Sequence, residues 1–171
     1  MNKAAIACAL IASSCATTSN TGADLPETRV SLLLETTKGA PLSLSELRGR
    51  AVLLTVIDTW ADPALLEVPR LKAIRKKYAE KDLMLIAVVL EDMAMAKIFA
   101  KTFEIPYVVA VSNDPAELTS SEGPLGSITI VPTTFLIDQE GRIAARMEGM
   151  WPQEVLETAL DRLVASDLRG P

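Results

Sequence analysis

An α/β fold with a central mixed β-sheet flanked by helices on both faces is what this sequence predicts, and three observations carry that reading. Uninterrupted apolar runs, AVLLTVID at residues 51–58 and LMLIAVVLED at 83–92, alternate with segments of helical periodicity. Two strands joined at Gln139-Glu140-Gly141 follow, and an amphipathic helix, PQEVLETALDRLVA, closes the chain. With 171 residues there is room for one well-packed domain and too little for two comfortable ones.

The first element is an export signal. In MNKAAIACALIASSC one basic residue, Lys3, precedes an apolar core at 4–12 and then small residues up to Cys15. Nine residues of helix rise roughly 14 Å, less than half of a hydrocarbon layer of about 30 Å, so the segment is too short to span a membrane. Ala12-Ser13-Ser14-Cys15 resembles the lipobox of bacterial lipoproteins. That would make residues 1–14 a signal peptide and Cys15 the acylated start of the mature chain. An ordinary cleavage after Ala16, discarding Cys15, is the competing reading. ATTSNTGADLPET has the composition of a flexible tether, spanning roughly 20 Å between a membrane and a folded domain at 29–168. The expected location is the bacterial cell envelope, lipid-anchored and facing the periplasm.

The remaining elements follow in order. VSLLLETTKGAPLSL reads as a hairpin turning at Lys38-Gly39, and SELRG as a short helical turn stopped by glycine. AVLLTVID is a strand buried on both faces. Residues 63–81 put Leu65, Val68, Leu71, Ile74 and Tyr78 on one helical face, with Lys and Arg opposite. Asp62 before Pro63 has the form of an N-cap followed by a proline at the first helical position. Inside this helix Pro69 should cost about 3 kcal/mol, which asks for a reason. LMLIAVVLED is a second buried strand, MAMAKIFAKTF a second helix, IPYVVAV a third strand, and SNDPAELTSSEGPLGSI a loop. Met93, Met95, Met147 and Met150 read as core or gap-filling residues, not metal ligands.

Composition removes much of enzymology. The chain has no histidine, which excludes the usual general base, the Ser/His and Cys/His pairs and the commonest metal ligand. A net charge of −5 argues against a nucleic-acid partner, and the one dense basic run, Arg75-Lys76-Lys77, reads as a solvated helix face. Both cysteines, Cys8 and Cys15, lie in the leader, so the folded part holds no thiol and must rely on its core rather than on disulfides. Neither a metal nor a cofactor is expected.

The order LxxLRGRAVLLTxxxTWxxPxxxEVPxL, then a buried strand ending in an acid, then VPTTFLIDxxGRI, resembles the TlpA type of bacterial thioredoxin-like thiol:disulfide oxidoreductases. That type lies within the alkyl hydroperoxide reductase and thiol-specific antioxidant superfamily. The resemblance covers residues 28–165 and is most specific at TWxxPxxxEVP and VPTTFLID. It implies a thioredoxin-like fold, accounts for Pro69 as the known kink of the active-site helix, and sets Trp60, Ala61, Asp62, Pro63 and Ala64 in the frame Trp-Cys-x-x-Cys. Both catalytic cysteine positions, 61 and 64, would then be alanine. Pro132 after Val131 would be the family's cis-proline beside that helix, and Thr55 would lie where thioredoxins hold a buried acid.

Without a thiolate to attack a disulfide and a second thiol to resolve it, dithiol exchange is unavailable to positions 61 and 64. The expected function is therefore a tethered, non-catalytic module that binds an envelope protein or an extended peptide. Trp60, Asp62, Pro63, Val131, Pro132 and Thr133 are the expected binding residues. Trp60 can serve either as a recognition surface at the groove mouth or as a half-buried ring holding the loop. The alternative is a redox protein acting with thiols supplied by a partner.

Overall fold

The computed structural model describes residues 29–165, so the signal, Cys15 and tether readings lie outside the described residues. Strands β1 (Leu33–Thr36) and β2 (Pro41–Ser43) form the opening hairpin, and a 3-10 turn at Leu44–Leu47 leads into β3 (Ala51–Ile57). Then come α1 (Asp62–Lys77), β4 (Leu83–Val89), α2 (Met93–Thr102), β5 (Val108–Ser112), α3 (Pro115–Thr119), β6 (Thr133–Ile137), β7 (Ile143–Glu148) and α4 (Gln153–Ala165). They build one seven-stranded sheet in the order β2-β1-β5-β4-β3-β6-β7.

Strand β3 is central because every one of its residues is apolar or able to satisfy itself internally, and all seven are buried. It pairs in parallel with β4 (Ala51 with Leu83 through Ile57 with Val89) and antiparallel with β6 (Val52 with Ile137 through Val56 with Thr133). Alternate side chains then point to opposite faces. Val52, Leu54 and Val56 join Ile86, Val88 and Phe135 under a cover of Leu44, Leu47, Leu118 and Ile128. Ala51, Leu53 and Ile57 face the other way, against α1, α2 and α4. The mixed sheet covered on both faces agrees with the expectation.

Helix α1 runs through Pro69 without a break. Val68, Leu71 and Ile74 are buried, and each fully buried aliphatic side chain contributes about 1.5–3 kcal/mol, enough to offset the proline. Its far end is clamped to α4: the Tyr78 hydroxyl donates to Asp161 Oδ1 at 2.9 Å, and Lys77 Nζ lies 2.7 Å from Glu157 Oε2. Two expectations need correction. Leu65 is 45% exposed while Ala64 is 2% exposed, because the stripe through Ala64, Val68, Leu71 and Ile74 faces the sheet and Leu65 lies about 100° round the helix from Ala64. The loop after β5 contains α3, where Asp114 accepts from Glu117 N and Pro115 sits in the first turn; the Asp-Pro signal was present in SNDPAEL.

The rest of that loop is held by Arg146 of β7. Its guanidinium donates to the carbonyls of Leu125 and Ser127, pairs with Glu148 at 2.7 Å, and lies 5.4 Å from the centre of the Phe135 ring. Loop 120–131 carries Ile130 and Val131 to the edge of the site, so this clamp positions function as well as fold. Arg146→Ala should lower stability by about 2 kcal/mol and speed amide exchange in residues 120–131 selectively. Exchange that accelerates equally throughout the sheet would show that the clamp is not local.

Candidate functional site

Sheet order brings three loops to one end. The segment 58–61 leaves β3, the segment 129–132 enters β6 antiparallel beside it, and the segment 149–152 leaves β7 next to that. Thr59 anchors the first loop: its N–H and hydroxyl donate to Glu91 Oε1 at 2.7 and 2.6 Å. Asp58 Oδ1 accepts from Trp60 N at 2.9 Å, and the Asp58 carbonyl accepts from Ala61 N. With the turn satisfied in this way, Ala61 becomes the residue before the helix and α1 starts at Asp62, whose side chain caps nothing. The N-cap assigned to Asp62 from sequence is thus corrected.

The binding residues read from sequence meet here, with different degrees of access. Trp60 is 74% exposed, so its ring is not the half-buried loop packing that the sequence also allowed. Asp62 is exposed, Pro63 and Ala61 are half-buried, and Ala64 is buried. Across from them the Val131–Pro132 peptide bond is cis. Pro132 and Thr133 are buried, the Thr133 hydroxyl donating to the Ile130 carbonyl at 2.5 Å, so the Thr133 side chain cannot be a contact surface. Inclusion of Thr133 as a binding side chain is corrected: it supports the turn. The Pro132 carbonyl accepts from Gly149 N at 2.8 Å, whereas the Val131 N–H and carbonyl have no partner among the described residues.

Beneath the loops the chemistry is apolar and hydroxylic. Thr55 and Thr134 are opposite each other on β3 and β6, their hydroxyls 3.2 Å apart and buried. Met147 belongs to the core, Met93 packs at its margin, and Met150 is instead 42% exposed at the site. Trp151, equally exposed, donates its indole N–H to the Glu148 carbonyl, and Ile130 is 50% exposed. Sequence reading passed over Ile130, Met150 and Trp151, although Met-Trp-Pro after Gly149 was an apolar cluster with no helical or strand period to absorb it.

It also passed over Glu67 as a site residue. A carboxylate at the third position after Ala64 falls inside the buried stripe of α1, and that was legible. Glu67 is 3% exposed and pairs with Arg70 at 2.7 Å, while Arg70 also donates to the Trp151 carbonyl, tying α1 to the loop before α4. Burial pushes the Glu67 carboxyl above its ordinary range, with Arg70 pulling partly back. Burial likewise raises the Tyr107 hydroxyl, and the nearby Glu67 charge adds to this. A carboxyl whose folded value is raised contributes stability below its unfolded value and loses it as pH rises through the folded one. Relative to Glu67→Gln, the wild-type chain should therefore be most stable near pH 4 and lose ground toward pH 7 in denaturant titrations. A difference that grows with pH would mean that the Arg70 pairing outweighs desolvation.

This architecture is widely shared. Residues 20–161 match the Redoxin family. A thiol-disulfide oxidoreductase ResA from Bacillus cereus (strain ZK / E33L) is 31% identical over 128 residues, covering 74% of this chain and 70% of that protein. Among solved structures, a thioredoxin-family thiol:disulfide interchange protein from Chlorobium tepidum TLS superposes with a TM-score of 0.69 at 24% identity, covering 83% of this chain and 99% of that one. The exposed lipoprotein thioredoxin Etrx1 of Streptococcus pneumoniae strain TIGR4 gives 0.64 at 22% identity, covering 77% and 98%. The fold is thus thioredoxin-like, and the chain belongs to the Redoxin family as a ResA/TlpA-like member of its thiol-disulfide oxidoreductases.

Proposed function

We propose that this redoxin binds extended polypeptide in the groove between Trp60 and Val131 and performs no dithiol exchange with groups of its own. The observation that carries the reading is the N–H and carbonyl of Val131, without a partner among the described residues, at the same end of the sheet as the exposed Trp60 indole. A backbone that offers one donor and one acceptor at the end of a sheet can pair with an added strand, and an aromatic rim supplies contact area. Ala61 immediately precedes α1 and Ala64 lies in its first turn, the two positions that the family resemblance gives to a nucleophilic and a resolving thiol; the chain's two cysteines are at 8 and 15. Residues 1–14 serve as a lipoprotein signal, Cys15 as the acylated residue and 15–28 as the tether, which places the domain at 29–168 in the cell envelope. The description of one structural relative as an exposed lipoprotein supports that placement.

A second reading has a specific observation behind it: the curated relatives are described as thiol-disulfide oxidoreductases. On that reading the groove presents a substrate to thiols carried by a partner chain. The isolated protein is inert in both cases, and the readings separate when a dithiol partner is added.

Wild-type protein should reduce insulin no faster than the dithiothreitol background. Ala61→Cys/Ala64→Cys should form an intramolecular disulfide, with the half-buried position 61 as the reactive thiol and the helix N-terminus lowering its pKa from about 8.5. Asp62 opposes a second negative charge beside it, so the pair should be reducing and its pKa depression small. Reductase activity of the wild type would sink the non-catalytic reading, and a double variant unable to form the disulfide would show that 61 and 64 are not the paired positions.

For the groove, Trp60→Ala should weaken capture of an unstructured peptide library by roughly thirtyfold, the loss expected for a central aromatic contact, at nearly unchanged melting temperature. Unaltered capture would move the interface elsewhere. Thr133 is unsuited to this test, since a bulky side chain at a fully buried position would break the fold.

A further inference from the structure

The end of the sheet opposite the groove holds a cleft of about 710 Å³ lined by Lys38, Arg50, Arg75, Lys97 and Lys101 and by no carboxylate, in a chain of net charge −5. Its position follows from the topology: it is bordered by Leu83 at the start of β4, Val108 at the start of β5 and the β1–β2 turn. The floor is apolar, formed by Leu85, Ala100 and Val109. Arg50 is paired with Asp82 at 2.5 Å, while Lys38, Arg75, Lys97 and Lys101 make no ion pair among the described residues. Cations gathered round a low-dielectric concavity repel one another and focus a positive field, which an anion with an apolar body would relieve.

Where the chain enters the domain narrows the choice of anion. The Val30 N–H donates to the Gly141 carbonyl at 2.7 Å, in the turn at the Ile137 end of β6, so Val30, near the first of the described residues, lies at this same end. Arg50 lines both the cleft and the small void beside Val30 and Gly141. The groove end carries the opposite sign, with Asp58, Asp62, Asp92 and Glu148 around it. The low net charge therefore conceals two poles, and the cationic one is where a tether would draw the domain toward a bilayer.

We propose that this cleft receives the phosphate headgroup of an anionic phospholipid, its apolar floor taking the glycerol and first methylenes, and that the domain rests on the membrane by this end with the groove turned outward. The inference does not depend on the peptide-binding reading; its choice of a lipid rests on the envelope-tether reading of residues 15–28, whereas the vesicle test, made without an acyl group, reads the cleft by itself.

The test uses residues 15–171 carrying Cys15→Ser, so that neither the apolar leader nor an acyl group contributes, with vesicles of phosphatidylcholine alone or mixed with phosphatidylglycerol. Retention should be stronger on the phosphatidylglycerol vesicles and should weaken as salt rises. Lys97 and Lys101 are exposed on α2, so Lys97→Gln/Lys101→Gln should keep the melting temperature while losing about twentyfold in binding, about fivefold for each cation removed. Lys72→Gln, on α1 outside the cleft, should change it little, and Arg75→Gln gives an independent variant should the double one be unstable. Equal retention on both vesicles, or full retention by folded double and Arg75 variants, would overturn the proposal. Thermal protection by inorganic phosphate, lost in the double variant and unaccompanied by any preference for phosphatidylglycerol, would assign the cleft to a free anion and overturn the lipid reading.

Discussion

Burial of β3 on both faces and along both edges is the constraint from which the rest of the structure follows. A strand with seven buried residues must have a partner on each side and a layer above and below. The chain supplies β4 and β6 as edges, α1, α2 and α4 on one face, and the 3-10 turn, α3 and loop 120–131 on the other. Because β4 is parallel and β6 antiparallel to β3, the end of β3 at Ile57 coincides with the start of β6 at Thr133. The two loops that form the groove thus meet as a consequence of strand direction, although more than seventy residues separate them.

The groove combines groups that are satisfied with groups that are not. Thr59, Asp58, Thr133 and Gly149 spend their hydrogen bonds on fixing the loops, and Arg70 fastens α1 to the Trp151 carbonyl. What remains open is the Val131 backbone with an apolar rim of Trp60, Ile130, Met150 and Trp151. On the proposed reading such a site would hold a chain by backbone pairing and side-chain area, and its described residues include no thiol. Rigid surroundings lower the ordering cost of binding, which is the condition under which a small groove can be useful. The same polarity that makes this end acidic leaves the opposite end cationic, so the proposed recognition and the proposed membrane contact fall on opposite poles.

Most of the element order was legible in the sequence, since continuous apolar runs and helical spacing are local properties. The hairpin at Lys38-Gly39, the three buried strands, the terminal hairpin and the closing helix all occur where the pattern places them, Gly39 and Gly141 taking the positive φ their turns require. Helix α3 was missed because five residues give no periodicity, and only its Asp-Pro cap marked it. Leu65 fits the helical spacing of the apolar residues, but the smaller Ala64 takes the buried place, since the stripe facing the sheet runs through Ala64, Val68, Leu71 and Ile74. In the site, Trp60, Ala61, Pro63, Ala64 and Pro132 were readable by resemblance; Glu67 was visible as a charge in an apolar stripe but went unused.

By itself the sequence determined the α/β class, the place of α1 with its two prolines, and the absence of histidine throughout and of any cysteine from residues 16–171. These depend on residue identity and on short-range period, which need no knowledge of neighbours in space. Only the tertiary structure decided that Trp60 faces outward and Thr133 inward, that the Val131 backbone has no partner among the described residues, and that an acidic chain carries a cationic cleft at the end of the sheet where Val30 sits. Each of these is set by strand order and direction: the sheet gathers the ends of β1, β4 and β5 with Arg50 at one pole and the site loops at the other, and no local pattern records which distant segments will share an end.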